Sequence, residues 1–413
     1  MQAQLGEAYP AFIAALDEPP KKALRINTLK TDREELEKLL GLPLPALDEN
    51  PDGAALPLEF NPNAMPLHAA GLFYMQEATA QAPVAALELP DAPVVLDLCA
   101  APGGKSAQLA ANMQGGVLFS NEIVPSRAEV LAGNLERMGV VNAIVINAEP
   151  KPLCERLQGR CDAVLVDAPC AGESMFRKDG QAVRDWSIEH VETCAVRQRA
   201  ILEDAQKAVK PGGTPVYSTC SFSPQENEQT VQHFLDRHTD FSLVAMRRYY
   251  PHTSAGEGQF LAVLVRNSTR VPSVLSIGKS DKVPAFEAFR DAVRLPDGQL
   301  KLLKDGRVLL LPAMPFAFEG VKIVRAGLLL GEVKGSRFEP AHALALAGRE
   351  TPFYQRCELS FDEAMRYLKG ETLFKDAEKG YGAATYMGHA LGLIKASDGM
   401  LKNHYPKGLR LLK

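Results

Sequence analysis

Two cysteines in this chain stand where a cysteine can act as a nucleophile. Cys170 follows Asp167-Ala168-Pro169, and Cys220 sits within Ser218-Thr219-Cys220-Ser221. Each lies just past an apolar run, 162–168 and 214–219, that reads as a strand. Adjacent strands run about 4.8 Å apart. If these two are neighbours, both sulfurs and the Asp167 carboxylate meet in one cleft at the carboxyl ends of the strands. The thiolate is the reactive form of cysteine, so such a site must favour it with nearby charge or hydrogen-bond donors. A lone cysteine is more often a small buried hydrophobe. That reading suits the side chains of Cys99, Cys154, Cys161, Cys194 and Cys357.

A second constellation is the turn Cys99-Ala100-Ala101-Pro102-Gly103-Gly104-Lys105. A strand over 94–98 leads into it, and a helix starts near Gly103. Glycines let backbone approach a ligand closely, and a helix N-terminus offers unpaired N–H groups to an anion. The spacing is neither GxGxxG nor a phosphate loop with GK[ST]. It suits a nucleotide-like ligand bearing a carboxylate. Glu122 ends the next strand, roughly 20 positions on, where an acidic residue holds a ribose diol.

The elements needed to place these residues are legible in the pattern. Apolar runs at 94–98, 116–121, 143–148, 162–168 and 214–219 alternate with helical stretches at 103–113, 125–138 and 187–209. Such alternation predicts a parallel sheet covered on both faces. Runs at 241–245 and 260–265 are placed to close it as an edge hairpin, after a helix over 224–237. The first 90 residues read as helical pieces broken by prolines. Helices are expected over 31–40, with Thr31 as N-cap, and over 76–87. Residues 267–285 read as a linker. Beyond them, strands at 299–303 and 307–312, a helix at 361–370 and glycine-punctuated strands in 380–413 form a small α+β unit.

Composition excludes several classes. No CxxC occurs among the seven cysteines, so a disulfide framework or a zinc site is not expected. No run of 18 apolar residues is present, which argues against a membrane span. The first residues lack the charge and apolar core of a signal peptide, and a reducing cytoplasm fits. The net charge of −4 gives no global attraction to nucleic acid. The distribution is uneven, however: residues 321–413 carry a net +5.

The motifs together resemble one family, the Sun-type RNA (cytosine-5) methyltransferases. They are YMQEATAQ (74–81), LDLCAAPGGK (96–105), NE (121–122), VDAPCAGESMFRK (166–178) and YSTCSFSPQENE (217–228), with ALRINTLK (23–30) and LKNHYPKGLR (401–410) near the ends. The MFRK stretch and the C-terminal unit resemble the bacterial F-type enzymes of small-subunit ribosomal RNA. Two positions depart from the family pattern. Asn147 stands where members often carry an aspartate, and GEG reads Gly172-Glu173-Ser174.

The resemblance implies a Rossmann-like S-adenosyl-L-methionine (SAM)-dependent methyltransferase sheet over 91–266. It adds a helical N-terminal extension over 1–90 and an α+β, PUA-like RNA-binding domain over 286–413. It implies SAM held by Cys99, Ala100, Ala101, Pro102, Gly103, Gly104, Lys105, Glu122, Arg127, Asn147 and Asp167. It assigns nucleophilic attack on cytosine C6 to Cys220, contact with the N3/N4 edge to Asp167, and help in product release to Cys170. A thiolate added at C6 makes C5 nucleophilic enough to accept a methyl group, which splits one hard step into easier ones. The target base must leave its stack, so looped or single-stranded RNA is the easier substrate. The expected partner is 16S rRNA or the small ribosomal subunit, with the protein a cytoplasmic monomer and no metal. Lys395, Lys402, Lys407, Arg410 and Lys413 are expected on phosphates. The C-terminal unit is expected to be separable from SAM binding.

Two alternative functions share these motifs, and one alternative exists for which cysteine attacks. A transfer-RNA cytosine methyltransferase would carry the same turn and cysteines. A non-catalytic RNA-binding assembly factor would keep the fold, although the Cys170/Cys220/Asp167 set argues against it. DNA cytosine methyltransferases use the cysteine of a Pro-Cys pair as nucleophile, which here would be Cys170.

Overall fold

The computed structural model describes residues 1–62, 65–314 and 320–411. Short helices Gln2–Leu5 and Tyr9–Leu16 open the chain. Four strands follow: β1 (Lys22–Ile26), β2 (Ala46–Leu47), β3 (Asn50–Leu56) and β4 (Phe73–Met75), in an antiparallel sheet ordered β2-β3-β1-β4. Helices are present in this region as expected, and the sheet between them is an addition that the proline-rich pattern did not suggest. Helix Arg33–Leu40 is capped by Asp32, whose carboxylate accepts from the Glu35 N–H at 3.0 Å. The expected cap, Thr31, instead bonds the Glu35 carboxylate at 2.9 Å. The helix expected over 76–87 is reduced to a 3-10 turn, Thr79–Gln81, and a single α turn, Ala82–Ala85. Gln76 serves the sheet, accepting from Arg25 Nε at 2.9 Å.

The central sheet contains β5 (Val94–Asp97), β6 (Val117–Asn121), β7 (Ala143–Asn147), β8 (Cys161–Asp167) and β9 (Val209–Thr219), all parallel. β10 (Phe241–Tyr249) and β11 (Gln259–Arg266) complete one side as the expected antiparallel hairpin. Helices Gly104–Asn112, Pro125–Arg137 and Ile188–Ala208 connect the parallel strands. β5 to β9 read as near-continuous apolar runs because both faces are covered: Val94, Leu96 and Phe119 enter one buried cluster, Val95, Leu118 and Val145 the other. The strand order reverses at β5, which lies between β6 and β8, so the ends of β5 and β8 open onto a crevice.

The C-terminal third departs most from expectation. β12 (Gln299–Leu302) and β13 (Arg307–Leu311) pair with β15 (Leu328–Lys334), which pairs with β16 (Arg337–Pro340). Between them β14 (Lys322–Ala326) leaves this sheet and adds to the central one, antiparallel to β7, making eight strands ordered β10-β11-β9-β8-β5-β6-β7-β14. A further sheet holds β17 (Arg356–Glu358), β18 (Leu373–Phe374), β19 (Gly380–Tyr386), β20 (His389–Ser397) and β21 (Met400–Asn403). The expected helix forms as Phe361–Leu368, with Ser360 and Glu363 in a capping box. Its Tyr367 and Leu368 pack in one cluster with Leu24, Ile26 and Phe73 of the first sheet. The single C-terminal unit expected over 286–413 is thus two sheets, one lending a strand to the catalytic sheet and the other sharing a core with the N-terminal one. No helix among the described residues is long and apolar enough to cross a membrane.

Candidate active site

β8 and β9 are neighbours, with Asp167 opposite Ser218. The loops that follow them bring Cys170 and Cys220 together, with their sulfurs 3.1 Å apart. Both cysteines and Asp167 line one open cleft of about 750 Å³. The two loops are held by the glutamates of the surrounding motifs. Glu226 accepts from the Ala171 N–H at 3.0 Å and from the Ser221 hydroxyl at 2.6 Å, so one buried carboxylate spans both cysteine loops. Glu173 accepts from the Phe222 N–H and from Trp186 Nε1, each at 3.1 Å. The Ser174 N–H donates to the Cys220 carbonyl at 3.1 Å. Ser174 lies in the 3-10 turn Glu173–Met175, and the left-handed backbone falls on Gly172 (φ 73°). A serine is therefore tolerated where the family pattern has glycine.

The electrostatics of the pair are asymmetric. The hydrogen bond from Cys170 holds the Cys220 thiol below its ordinary pKa, against burial and Asp167, with the Ser174 hydroxyl and Lys105 helping. Cys170 is raised well above its ordinary value by that same bond and then by burial. The two shifts run in opposite directions, so the pair favours the thiolate on Cys220 over one on Cys170. Asp167 is fixed from three sides: Lys105 Nζ at 2.8 Å, the Ser218 hydroxyl at 2.7 Å and Gln259 Nε2 at 3.3 Å. Burial opposes the Lys105 charge, but Asp167 outweighs it and the ammonium stays above its ordinary pKa.

The other end of the cleft lies over β5 and β6. Cys99 and Ala101 line it, while Ala100, Pro102, Gly103, Gly104 and Lys105 stand behind the lining, Lys105 reaching it through Asp167. Burial pushes the Cys99 thiol far up, which makes it a lining group and not a nucleophile. The glycines answer to neighbouring protein. A Cβ at Gly103 (φ 110°) would meet Leu131 at 3.0 Å, and one at Gly104 would meet the Tyr74 ring at 3.1 Å. Arg25, fully buried, donates to the Gly104 carbonyl at 3.1 Å. The N-terminal sheet therefore supports the turn from behind. Glu122 is buried, accepting from the Val124 N–H at 2.9 Å and pairing with Arg127 at 3.0 Å, and Arg127 also donates to the Ala101 carbonyl.

Four family descriptions match consecutive parts of the chain. They are "N-terminal domain of 16S rRNA methyltransferase RsmF" over residues 1–78, "16S rRNA methyltransferase RsmB/F" over 84–265, "RsmF rRNA methyltransferase first C-terminal domain" over 287–347 and "Methyltransferase RsmF PUA domain" over 354–411. The ribosomal RNA small subunit methyltransferase F of Klebsiella pneumoniae is 33% identical, covering 98% of this chain and 95% of its own. The chain belongs to the RsmF family of 16S rRNA methyltransferases. The enzyme of the same name from Vibrio cholerae is 32% identical over 96% of this chain and 93% of its own. A crystal structure of a methyltransferase homologue from Pyrococcus horikoshii superposes with a TM-score of 0.57 at 29% identity, covering 63% of this chain and 91% of that one. The two modules matched at 287–347 and 354–411 correspond to the two C-terminal sheets.

RsmF enzymes depend on SAM. The cleft suits it in size, since small-molecule sites run from about 300 to 1,000 Å³. It also suits it in chemistry, since apolar Ile123, Val124 and Pro150 line it together with the carboxylates Glu122 and Glu149. One expected contact needs correcting. Asn147 does not line the cleft; its amide donates to the Glu122 and Ile123 carbonyls at 2.8 and 2.9 Å. The acidic group at the cleft beyond β7 is Glu149, two residues further along. Sequence reasoning looked for it at the last residue of the strand and so missed it.

Of the basic residues expected on phosphates, Lys395 and Lys402 face each other across β20 and β21, with Lys395 over the Tyr381 ring at 4.6 Å. Lys407 is exposed, and Arg410 is half-buried against the Tyr405 carbonyl. Lys413 lies outside the described residues.

Proposed function

We propose that this RsmF-type chain methylates C5 of cytosine in the 16S RNA of the small ribosomal subunit, through a covalent bond between the Cys220 sulfur and C6 of the base. The observation that supports it most is the polarised pair, Cys220 and Cys170 with sulfurs 3.1 Å apart, beside the fixed Asp167. Bound SAM supplies the methyl group as an electrophilic carbon. The residues of 99–105, with Glu122, Arg127, Asn147 and Asp167, would hold it, Glu122 and Arg127 from the cleft wall and Asn147 through the backbone it anchors.

Cys220, kept as thiolate by Cys170, adds to C6, and the ring's electron pair moves toward C5. Asp167 keeps lone pairs for the N3/N4 edge after accepting its three protein donors, and so stabilises the protonated ring. In the elimination, water in the open cleft takes the C5 proton, the C–H electron pair re-forms the C5–C6 double bond, and the Cys220 sulfur leaves C6 as a thiolate. Cys170, in contact with the departing sulfur, assists that step.

Residues 1–90 and 286–413 flank the catalytic domain 91–266, joined on one side by the linker 267–285, and present basic groups to RNA. The protein works as a cytoplasmic monomer. Incubating it with tritiated SAM and small subunits, then digesting the RNA to nucleosides, tests the reading. Label in 5-methylcytidine supports it; label in any other nucleoside, or none, contradicts it.

A further inference from the structure

The geometry points to a second reaction at the same two sulfurs. We propose that Cys170 and Cys220 are a site of oxidative modification, closing to a disulfide with a hydroperoxide as oxidant and taking the nucleophile out of use. The sulfurs already touch at 3.1 Å, and a disulfide needs about 2.05 Å. The loops that carry them leave adjacent parallel strands, with Asp167 opposite Ser218, so the two cysteines are delivered side by side. Both cysteines are partly buried and line the open cleft, so a small oxidant reaches them by the substrate's own route.

The contrast with the remaining cysteines supports the assignment. Cys154, Cys161, Cys194 and Cys357 are buried, and burial pushes the Cys154 and Cys194 thiols up to about 12 and 11. They are poor nucleophiles toward a peroxide. Cys220 is the one of the seven cysteines, all of them among the described residues, whose thiol is shifted below its ordinary pKa. A thiolate beside a second thiol is the arrangement of redox-sensitive cysteines.

The chemistry balances in two steps. The Cys220 thiolate attacks the terminal oxygen of the hydroperoxide; the O–O bond breaks, Cys220 becomes a sulfenic acid, and the departing alkoxide takes a proton to leave as an alcohol (water, for hydrogen peroxide). Cys170 sulfur then attacks the Cys220 sulfur. Its proton joins the departing hydroxide as water, and the disulfide forms. Two thiols have lost two electrons to one peroxide bond, and an external dithiol returns them by exchange. The trapped form protects Cys220 from the irreversible higher acids, which is what the nearby Cys170 contributes in the absence of RNA.

The test uses the reduced full-length protein and hydrogen peroxide at equimolar dose. After free thiols are alkylated, digestion and mass spectrometry look for the peptide of Cys170 joined to that of Cys220, lighter by two hydrogens than the sum of the free peptides. The expected result is that joined pair, together with loss of methyl transfer that dithiothreitol restores. Cys194→Ala should keep the cross-link. Cys170→Ser should lose it and accumulate oxygen on Cys220, with a thermal melt showing that the variant is folded. No joined pair at doses that oxidise Cys220 would overturn the proposal, as would a joined pair with methyl transfer intact. The proposal rests on the proposed function only for its consequence. A reduced enzyme that never methylates cytosine would defeat that function, while the cross-link, read by mass, would still stand or fall by itself.

Discussion

The Lys105 ammonium lies 2.8 Å from the Asp167 carboxylate and joins the turn after β5 to the loop after β8. Lys105 is only 13% exposed, so the contact works in a poorly solvated place where a charged hydrogen bond counts. It orients Asp167 and adds positive potential near Cys220. Lys105→Met should lower kcat by at least about tenfold, the loss expected for one charge-assisted bond to a reacting site. Steady-state kinetics on RNA and SAM will measure it, and an unchanged kcat would remove Lys105 from the account.

Ser174 offers a pH signature. Its hydroxyl helps hold the Cys220 thiol below its ordinary pKa. Activity needs the thiolate, so it rises with pH through that pKa. Losing a donor to the charged form raises the pKa. Ser174→Ala should therefore shift the rising limb of the kcat profile to higher pH and recover activity at the alkaline end. A profile that stays in place and is merely scaled down would assign Ser174 a packing role.

Asn147 acts through the backbone. Its amide donates two hydrogen bonds to carbonyls that precede Val124, and Glu122 is among them. An aspartate cannot donate and would face two oxygens. Asn147→Asp should weaken SAM binding by roughly two- to tenfold, as expected when two carbonyls, one part-buried and one exposed, lose their donor. Calorimetry with SAM decides it; full affinity would show that the Glu122 loop holds its own shape.

Removing residues 286–413 should damage the catalytic sheet. β14 covers the edge of β7, and Tyr367 and Leu368 share a core with Leu24 and Phe73. The truncated chain should melt well below the full one and lose SAM affinity, against the first expectation of a separable unit. A truncated chain with full SAM affinity and an unchanged melting temperature would restore that expectation.

Much of this was legible in the residues. The five parallel strands show as apolar runs because both faces are buried, and Cys170, Cys220 and Asp167 follow from where those runs end. The N-terminal strands were harder to see: Lys22–Ile26 and Phe73–Met75 are short, and the first is interrupted by Arg25, which is buried. Arg25, an unlikely residue for a core, is buried because Gln76 and the Gly104 carbonyl satisfy it. β14 could not be read as part of the central sheet, since it lies 175 residues beyond β7 and its pattern is that of any half-exposed strand. Glu149 was overlooked because the loop, and not the strand, carries it to the cleft.

In the proposed reaction Cys220 attacks and Cys170 releases. The two variants Cys220→Ala and Cys170→Ala, each incubated with labelled RNA and SAM and run on a denaturing gel, separate these roles. A thioether survives denaturant, and a tight non-covalent complex does not. Cys170→Ala should give a shifted, SAM-dependent band of protein bound to RNA, and Cys220→Ala should give none and transfer no methyl group. A shifted band from Cys220→Ala with none from Cys170→Ala would reverse the two roles, and full turnover in both would remove cysteine catalysis from this site.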